Sequence, residues 1–356
     1  MDKPLQVSAP GRICLFGEHQ DYLGLPVITS AINLRVRISG EMGSDDKVRL
    51  DLPDIKEYTS FALTYPLRYS EPRDYFKSVL NILSREGVVL SKGVDIVVRG
   101  NIPINSGTSS SSALVVAWTA FLLKLANDAR AHNPEAIARL AHRAEVVEFH
   151  EPGGQMDHFA SAFGGALFIE FETGKKPQPL DVPLGAFVLG DSREPKDTTS
   201  ILARVKGGSL EAIKQAGKSI HEISLNDLEN VKSKISAEQY RLLHAQLMNR
   251  QLTRVAYTLM NSAPFDHHQF GNLIFKHYEQ LRDGLNISTP KIDRMINAAM
   301  EAGALGAKIN GSGGGGCMFA YAPEKSRQVA EAIVRAGGKA YIIHTDKGVY
   351  FDDSSE

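Results

Sequence analysis

The residues best suited to chemistry fall in three short loops and one acidic stretch. The first loop, Ala9 to Tyr22, reads APGRICLFGEHQDY and gathers Arg12, Glu18, His19, Gln20 and Asp21 around a short apolar run. Carboxylates accept hydrogen bonds, arginine donates and histidine does either, so the mixture suits a polyhydroxy ligand. A charged surface turn is the plainer reading. The second loop, Pro103 to Ala113, is small and polar and opens directly into an apolar stretch. If that stretch is a helix, its amino end presents unpaired N–H groups and the positive end of the dipole. Small side chains would let a phosphate reach them, and a hydroxyl in the first turn could serve Mg²⁺, which prefers oxygen. The third loop, Asn310 to Gly316, ends in four successive glycines that leave bare backbone beside whatever lies there. No helix follows it, so it is not a dinucleotide fingerprint.

Between the second and third loops, Glu145, Glu148, His150, Glu151, Asp157 and His158 crowd one segment. Pro152-Gly153-Gly154 should break the helix there, placing Asp157 beyond a turn. One acid on the helix and one past its end could converge on a metal–phosphate site, although any single one of them could be a solvated charge. No Gly-x-x-x-x-Gly-Lys-Ser/Thr motif and no His-Arg-Asp or Asp-Phe-Gly set occurs, which excludes P-loop enzymes and protein kinases. His267-His268 has no acidic partner at metal-ligand spacing and reads as an ordinary pair.

The elements that must hold these loops are visible in outline. Ala31 to Gly40 and Val94 to Val98 read as strands. Ala113, Trp118, Phe121, Leu122 and Leu125 recur at helical spacing after the serine run. Asn133-Pro134 starts a second helix, expected to run to about Phe149. Gly165 to Phe171 reads as a strand ending in the turn Glu172-Thr173-Gly174. Residues 208–262 are helical in composition. Ser288-Thr289-Pro290 starts a helix with Ile292, Met295, Ile296 and Ala299 on one face and Gly303 as its left-handed cap, and the third loop leads into the strand Cys317 to Tyr321. This alternation indicates two α+β domains, 1–185 and 186–356.

The bulk composition sets limits. The chain has 356 residues, 43% hydrophobic and 23% charged, enough apolar material for a sizeable core. With 40 basic and 41 acidic side chains the net charge is -1, without a basic stripe for nucleic acid. A phosphate ligand must then be met locally, by backbone amides, a metal and a few side chains. Cys14 and Cys317 lie among apolar residues, which argues against a disulfide scaffold or a cysteine zinc site. Met1 to Pro10 lacks a signal-peptide pattern, and no apolar run approaches the ~20 residues of a membrane helix. The expectation is a cytoplasmic enzyme with a small-molecule substrate, no nucleic-acid or membrane partner, and an oligomeric state left open.

Three motifs in this order resemble the GHMP kinase superfamily, from Ala9 to Tyr321. The resemblance implies a first domain like ribosomal protein S5 domain 2, a ferredoxin-like second domain, and ATP with Mg²⁺ between them. Pro10-Gly11-Arg12, Gly17-Glu18-His19 and Asp21-Tyr22 closely resemble the galactokinase signature. By that match Glu18, His19, Asp21 and Tyr22 would meet a sugar. Ser111 and Glu145 would hold Mg²⁺, and Asp157 would contact the attacking hydroxyl with Arg12 beside it. Gly107, Ser109, Ser110, Ser111, Ser112, Gly313 and Gly314 would cradle the triphosphate. Thr108 and Ser112 depart from the usual Gly-Leu-Ser-Ser-Ser-Ala. The third motif is more like mevalonate kinase, and Gly153 to Asp157 also resembles heptose-phosphate kinases. The implied activity is transfer of the γ-phosphate of ATP to a monosaccharide hydroxyl, taken to be the anomeric one. A non-sugar alcohol such as mevalonate, or a silent sugar and ATP sensor, is the alternative. Arg12 should hold Asp157 ionised, making it an orienter first and a proton acceptor late in the transfer.

Overall fold

The computed structural model describes residues 4–103, 107–171, 175–195 and 198–352. Ile104, Asn105 and Ser106 of the second loop, and the expected turn at Glu172-Thr173-Gly174, lie outside them. The chain folds around two sheets. The first is built from β1 (Leu5–Phe16), β2 (Val27–Met42), β3 (Lys47–Leu52), β4 (Glu57–Ala62), β5 (Val94–Gly100), β6 (Ala166–Ile169) and β7 (Gln178–Leu180). The second holds β8 (Phe187–Asp191), β9 (Gly306–Ile309), β10 (Cys317–Tyr321) and β11 (Lys339–Ile343). A final strand, β12 (Tyr350–Phe351), returns to the first sheet and pairs with β1. The expected division at 185/186 falls in the link between β7 and β8, and β12 crosses back over it.

The strand order of the first sheet is β12-β1-β2-β5-β3-β4, with β6 and β7 added beside β2. The pairing is antiparallel except for β3 with β5. Helices α1 (Tyr75–Arg85), α2 (Ser110–Leu125), α3 (Pro134–His142) and α4 (Met156–Phe163) pack with this sheet. Every side chain from Val115 to Leu123 of α2 is buried, as an apolar run requires of a central helix. Asn133 caps α3 and Pro134 opens it, as the Asn-Pro dipeptide indicates. The helix then loosens into a π-turn at Arg143–Val147, which carries Glu145.

The second sheet is fully antiparallel in the order β11-β8-β10-β9. That is fourth, first, third, second, the arrangement of a ferredoxin-like βαββαβ unit. Between β8 and β9 run α5 (Thr198–Ala216), α6 (Leu225–Val231), α7 (Ala237–Met260), α8 (His267–Glu279) and α9 (Pro290–Glu301); α10 (Ser326–Arg335) links β10 to β11. Thr289 caps α9, its apolar face is Ile292, Met295, Ile296 and Ala299, and Gly303 follows with φ 97°. Among the described residues no helix is long and apolar enough to cross a membrane.

The two layers share a core. Ile13, Leu15 and Phe16 of β1 pack with Phe270 and Ile274 of α8 and with Phe319 of β10. Buried Arg35 of β2 grips the returning segment: it pairs with Asp346 at 2.7 Å and donates to the carbonyls of Lys347 and Gly348.

Candidate active site

The three loops meet at one carbonyl. Gly107 O accepts Arg12 Nη1 at 2.6 Å and Asn310 Nδ2 at 2.8 Å. Asn310 also accepts the Cys14 amide at 2.9 Å through its side-chain oxygen. Gly11 makes the approach possible: a Cβ there would stand 2.7 Å from the Thr108 carbonyl. That same carbonyl accepts Arg12 N at 3.2 Å. Strand β1, the serine loop and the glycine loop are therefore fastened side by side, and a cleft opens beside the fastening.

Of the candidate site residues, Arg12, His19, Asp21, Tyr22, Gly107, Ser109, Ser110, Ser111, Ser112, Glu145 and Asp157 all line this cleft. The remaining site candidates do not. Glu18 is wholly buried behind the cleft, ion-paired with Lys308 of β9, and Lys308 also donates to the Cys14 carbonyl at 2.7 Å. Its other carboxylate oxygen lies 3.7 Å from His277 Nδ1 of α8. Burial, with the Lys308 ammonium beside it, depresses the His277 pKa well below its ordinary value and keeps the ring neutral. Glu18 thus joins β1 to the second sheet and does not line the cleft. Gly313 and Gly314 also sit outside the lining, which takes only Gly311 and Ser312 from their loop. A Cβ on Gly313 would meet Ile287, and one on Gly314 would meet Ile201, so these glycines serve tight packing under α5 instead of bare backbone.

Asp157, in the first turn of α4, accepts Arg12 Nε at 2.8 Å and Nη2 at 2.7 Å. Burial pushes its carboxyl up, but the Arg12 charge, the Ser109 hydroxyl and His158 outweigh this and hold it below the ordinary carboxylate range. Asp157 is ionised and restrained. Glu145 lies under the start of α2. It accepts His158 Nε2 at 2.7 Å, and the hydroxyls of Ser111 and Ser112 turn towards it. Burial raises its carboxyl, and these donors bring it back below the ordinary value. Ser109 precedes α2 with φ 59° and makes no side-chain cap, so the first amides of the helix have no capping side chain.

The opposite wall is the turn after β1. His19, itself at φ 61°, donates through Nε2 to the Ser312 carbonyl at 3.0 Å. That leaves Nδ1 to accept the Tyr22 hydroxyl at 2.8 Å. Asp21 lies over Gly154, where a Cβ would stand 1.8 Å from its Oδ2. The amides of Tyr22, at 2.9 Å, and Met156, at 3.3 Å, donate to it. Burial and the neighbouring Asp157 charge raise Asp21 to about 6. One carboxylate is held low and the other high across a single cleft. Cys14 and Cys317 are both buried.

Sequence reasoning missed Lys308, which sits two residues before the glycine loop, and Arg73, on the cleft wall just before α1. It noticed His158 but not that this side chain would be the buried partner of Glu145.

Residues 74–165 match the model of the GHMP kinases N terminal domain and residues 258–342 that of the GHMP kinases C terminal. Residues 2–41 match the galactokinase galactose-binding signature. The chain is 31% identical to a mevalonate kinase of Thermococcus gammatolerans, over 96% of each chain. It is 28% identical to a galactokinase of Actinobacillus succinogenes, over 97% of this chain and 94% of that one. Among solved structures, a Lactococcus lactis galactokinase complexed with galactose superposes with a TM-score of 0.87 at 22% identity, covering 98% of this chain and 95% of that one. The Methanococcus jannaschii mevalonate kinase superposes with a TM-score of 0.73 at 20% identity, covering 96% and 98%. Matched on both sheets and along nearly its full length, the chain belongs to the GHMP kinases.

Proposed function

We propose that this kinase transfers the γ-phosphoryl group of ATP, with Mg²⁺, to a hydroxyl of a monosaccharide, the anomeric one. The observation that carries the reading is the facing of Asp21, with His19 and Tyr22, towards the Arg12–Asp157 pair across one cleft. An ionised carboxylate at Asp157 can hold the attacking hydroxyl, and Arg12 fixes its direction. Because Arg12 depresses it, Asp157 is a weak base and takes the proton only as the phosphoryl group moves. Asp21 and His19 offer the paired acceptors and donors that vicinal hydroxyls require.

The residues present fit a hard cation. Ser111 and ionised Glu145 supply oxygens at one point, and Mg²⁺ characteristically takes one or two protein oxygens and completes its shell with phosphates and water. Such an ion would neutralise charge on the transferring phosphate. The uncapped start of α2 would meet the phosphates with backbone amides. We assign the sugar to the first loop and the nucleotide to the second.

The mevalonate kinase relatives favour a second reading, in which the acceptor is a non-sugar alcohol. An aliphatic alcohol has little use for the Asp21, His19 and Tyr22 wall. ATP turnover with a panel of neutral sugars, sugar acids and mevalonate decides: the proposal expects a sugar to be preferred, and turnover with mevalonate alone would overturn it.

A further inference from the structure

We infer that Arg73 is a nucleotide-phosphate ligand, poised to leave Glu151 and close on the triphosphate. The inference rests on the placement of the triphosphate at the start of α2 argued above.

The charge on the cleft wall raises the problem. Four carboxylates line it, Asp21, Glu145, Glu151 and Asp157, against two guanidiniums, Arg12 and Arg73. Such a wall repels a polyanion unless cations are available to meet it. Arg12 is not available: its side chain is 4% exposed and fully engaged by Asp157 and the Gly107 carbonyl. Arg73 is 45% exposed. It holds Glu151 through two bonds of 2.7 and 2.9 Å, and it donates to Thr199 Oγ1 at 2.9 Å.

Three features make this a ligand in waiting as well as a surface ion pair. The fork that now holds a carboxylate matches a phosphate equally well. The Glu151 pair is solvent-accessible, and exposed pairs contribute little, so exchanging the partner costs little. The backbone of Arg73 is left-handed at φ 63°, uncommon for a long side chain and characteristic of functional sites. The strained residue lies immediately before α1, and its guanidinium reaches across to the first turn of α5. There the neighbouring Thr198 lines the cleft and meets Ser312 of the glycine loop at 3.4 Å. Arg73 therefore bridges the cleft mouth above the serine loop. Glu145, towards which the Ser111 hydroxyl turns, adds to the negative charge that Arg73 feels.

Opposed variants test the exchange. Affinity for Mg²⁺ with a non-hydrolysable ATP analogue is measured by titration calorimetry, beside the KM values for ATP and sugar. Arg73→Gln should weaken analogue binding about tenfold or more, the weight of a hydrogen bond to a charged group. It should leave sugar KM near the parent, and Arg73→Lys should recover part of the loss. Glu151→Gln removes the competitor and should tighten analogue binding. A mere structural tie predicts that both variants weaken binding alike, or that neither changes it, and either result overturns the inference. Should Arg73→Gln fail to fold, the sign of the Glu151→Gln change decides alone. Unchanged affinity in Arg73→Gln beside weakened binding in Ser111→Ala removes Arg73 only; unchanged affinity in both removes the phosphate placement as well.

Discussion

Arg12 and Asn310, from opposite halves of the chain, donate to the same carbonyl, that of Gly107. The carbonyl is a peg to which the first and third loops are fastened, and it belongs to the second. Arg12 spends one nitrogen on this peg and two on Asp157. The orientation of Asp157 is thereby tied to the position of the serine loop, and so to the place proposed for the triphosphate.

Asp157→Asn should retain nucleotide affinity and lose at least ~10²-fold in turnover, the low end of a positioned acid or base. The asparagine can still bond Arg12 but cannot take the proton. Steady-state turnover with calorimetric nucleotide binding checks this, and near-normal turnover in folded protein would remove the role.

Ser111→Ala and Glu145→Gln should raise the Mg²⁺ concentration needed for half-maximal rate more than the sugar KM. His158→Ala should act in the same direction, because His158 Nε2 fixes the Glu145 carboxylate at 2.7 Å. His158→Gln, which keeps a donor, should recover part of the effect. Overlaid Mg²⁺ titrations would contradict the metal assignment, and Mn²⁺ binding followed by its spin resonance gives a readout independent of turnover.

Asp21 carries a pH signature. Folded, it holds its proton up to about 6, whereas an unfolded aspartate releases it near about 3.9. The folded state binds more protons between those values. Stability from this group is therefore present below about 3.9 and lost as pH rises through about 6. Asp21→Asn should gain in melting temperature relative to the parent as pH rises from about 4 to about 7. Sugar kcat/KM of the parent should fall as pH drops below about 6, where the acceptor is lost. Asp21→Ala should impair sugar use and leave ATP affinity within a few-fold. An unchanged sugar KM in that variant would take Asp21 out of the site.

The Glu18–Lys308 pair predicts a stability effect. Lys308→Met leaves a carboxylate buried and unpaired, which costs about 3–5 kcal/mol in urea unfolding. The double change Glu18→Gln with Lys308→Met should recover much of it. If Glu18 instead meets the sugar, Glu18→Gln will raise sugar KM with little loss of stability.

The loops were legible because their chemistry is local. Serines opening an apolar helix and an acid after a helix-breaking turn are each marked by their immediate neighbours in the chain. The strand Cys317 to Tyr321 and the Asn133 and Thr289 caps were readable for the same reason. Direction was not. Glu18 and His19 are consecutive, yet one faces Lys308 and the other Ser312, because Gly17 and His19 both take positive φ and turn the chain twice in three residues. Gly313 and Gly314 suggested open backbone, but their neighbours Ile287 and Ile201 come from distant segments that no local pattern connects to them. Arg73 carried no signal at all, since an arginine before a helix is ordinary until its backbone angle and its cleft are known.

The return of β12 to β1 has a consequence for the order in which the chain is made. Synthesis delivers β1 before its outer partner, which follows the whole second sheet. Until then Arg35 lacks Asp346 and the carbonyls of Lys347 and Gly348. A nascent chain thus holds its first sheet with an unpaired edge, and an Arg35 guanidinium bound by Ser8 alone, while the ribosome completes the rest. Strand β1 is completed only when β12 follows the second sheet, so the two sheets mature together instead of one after the other.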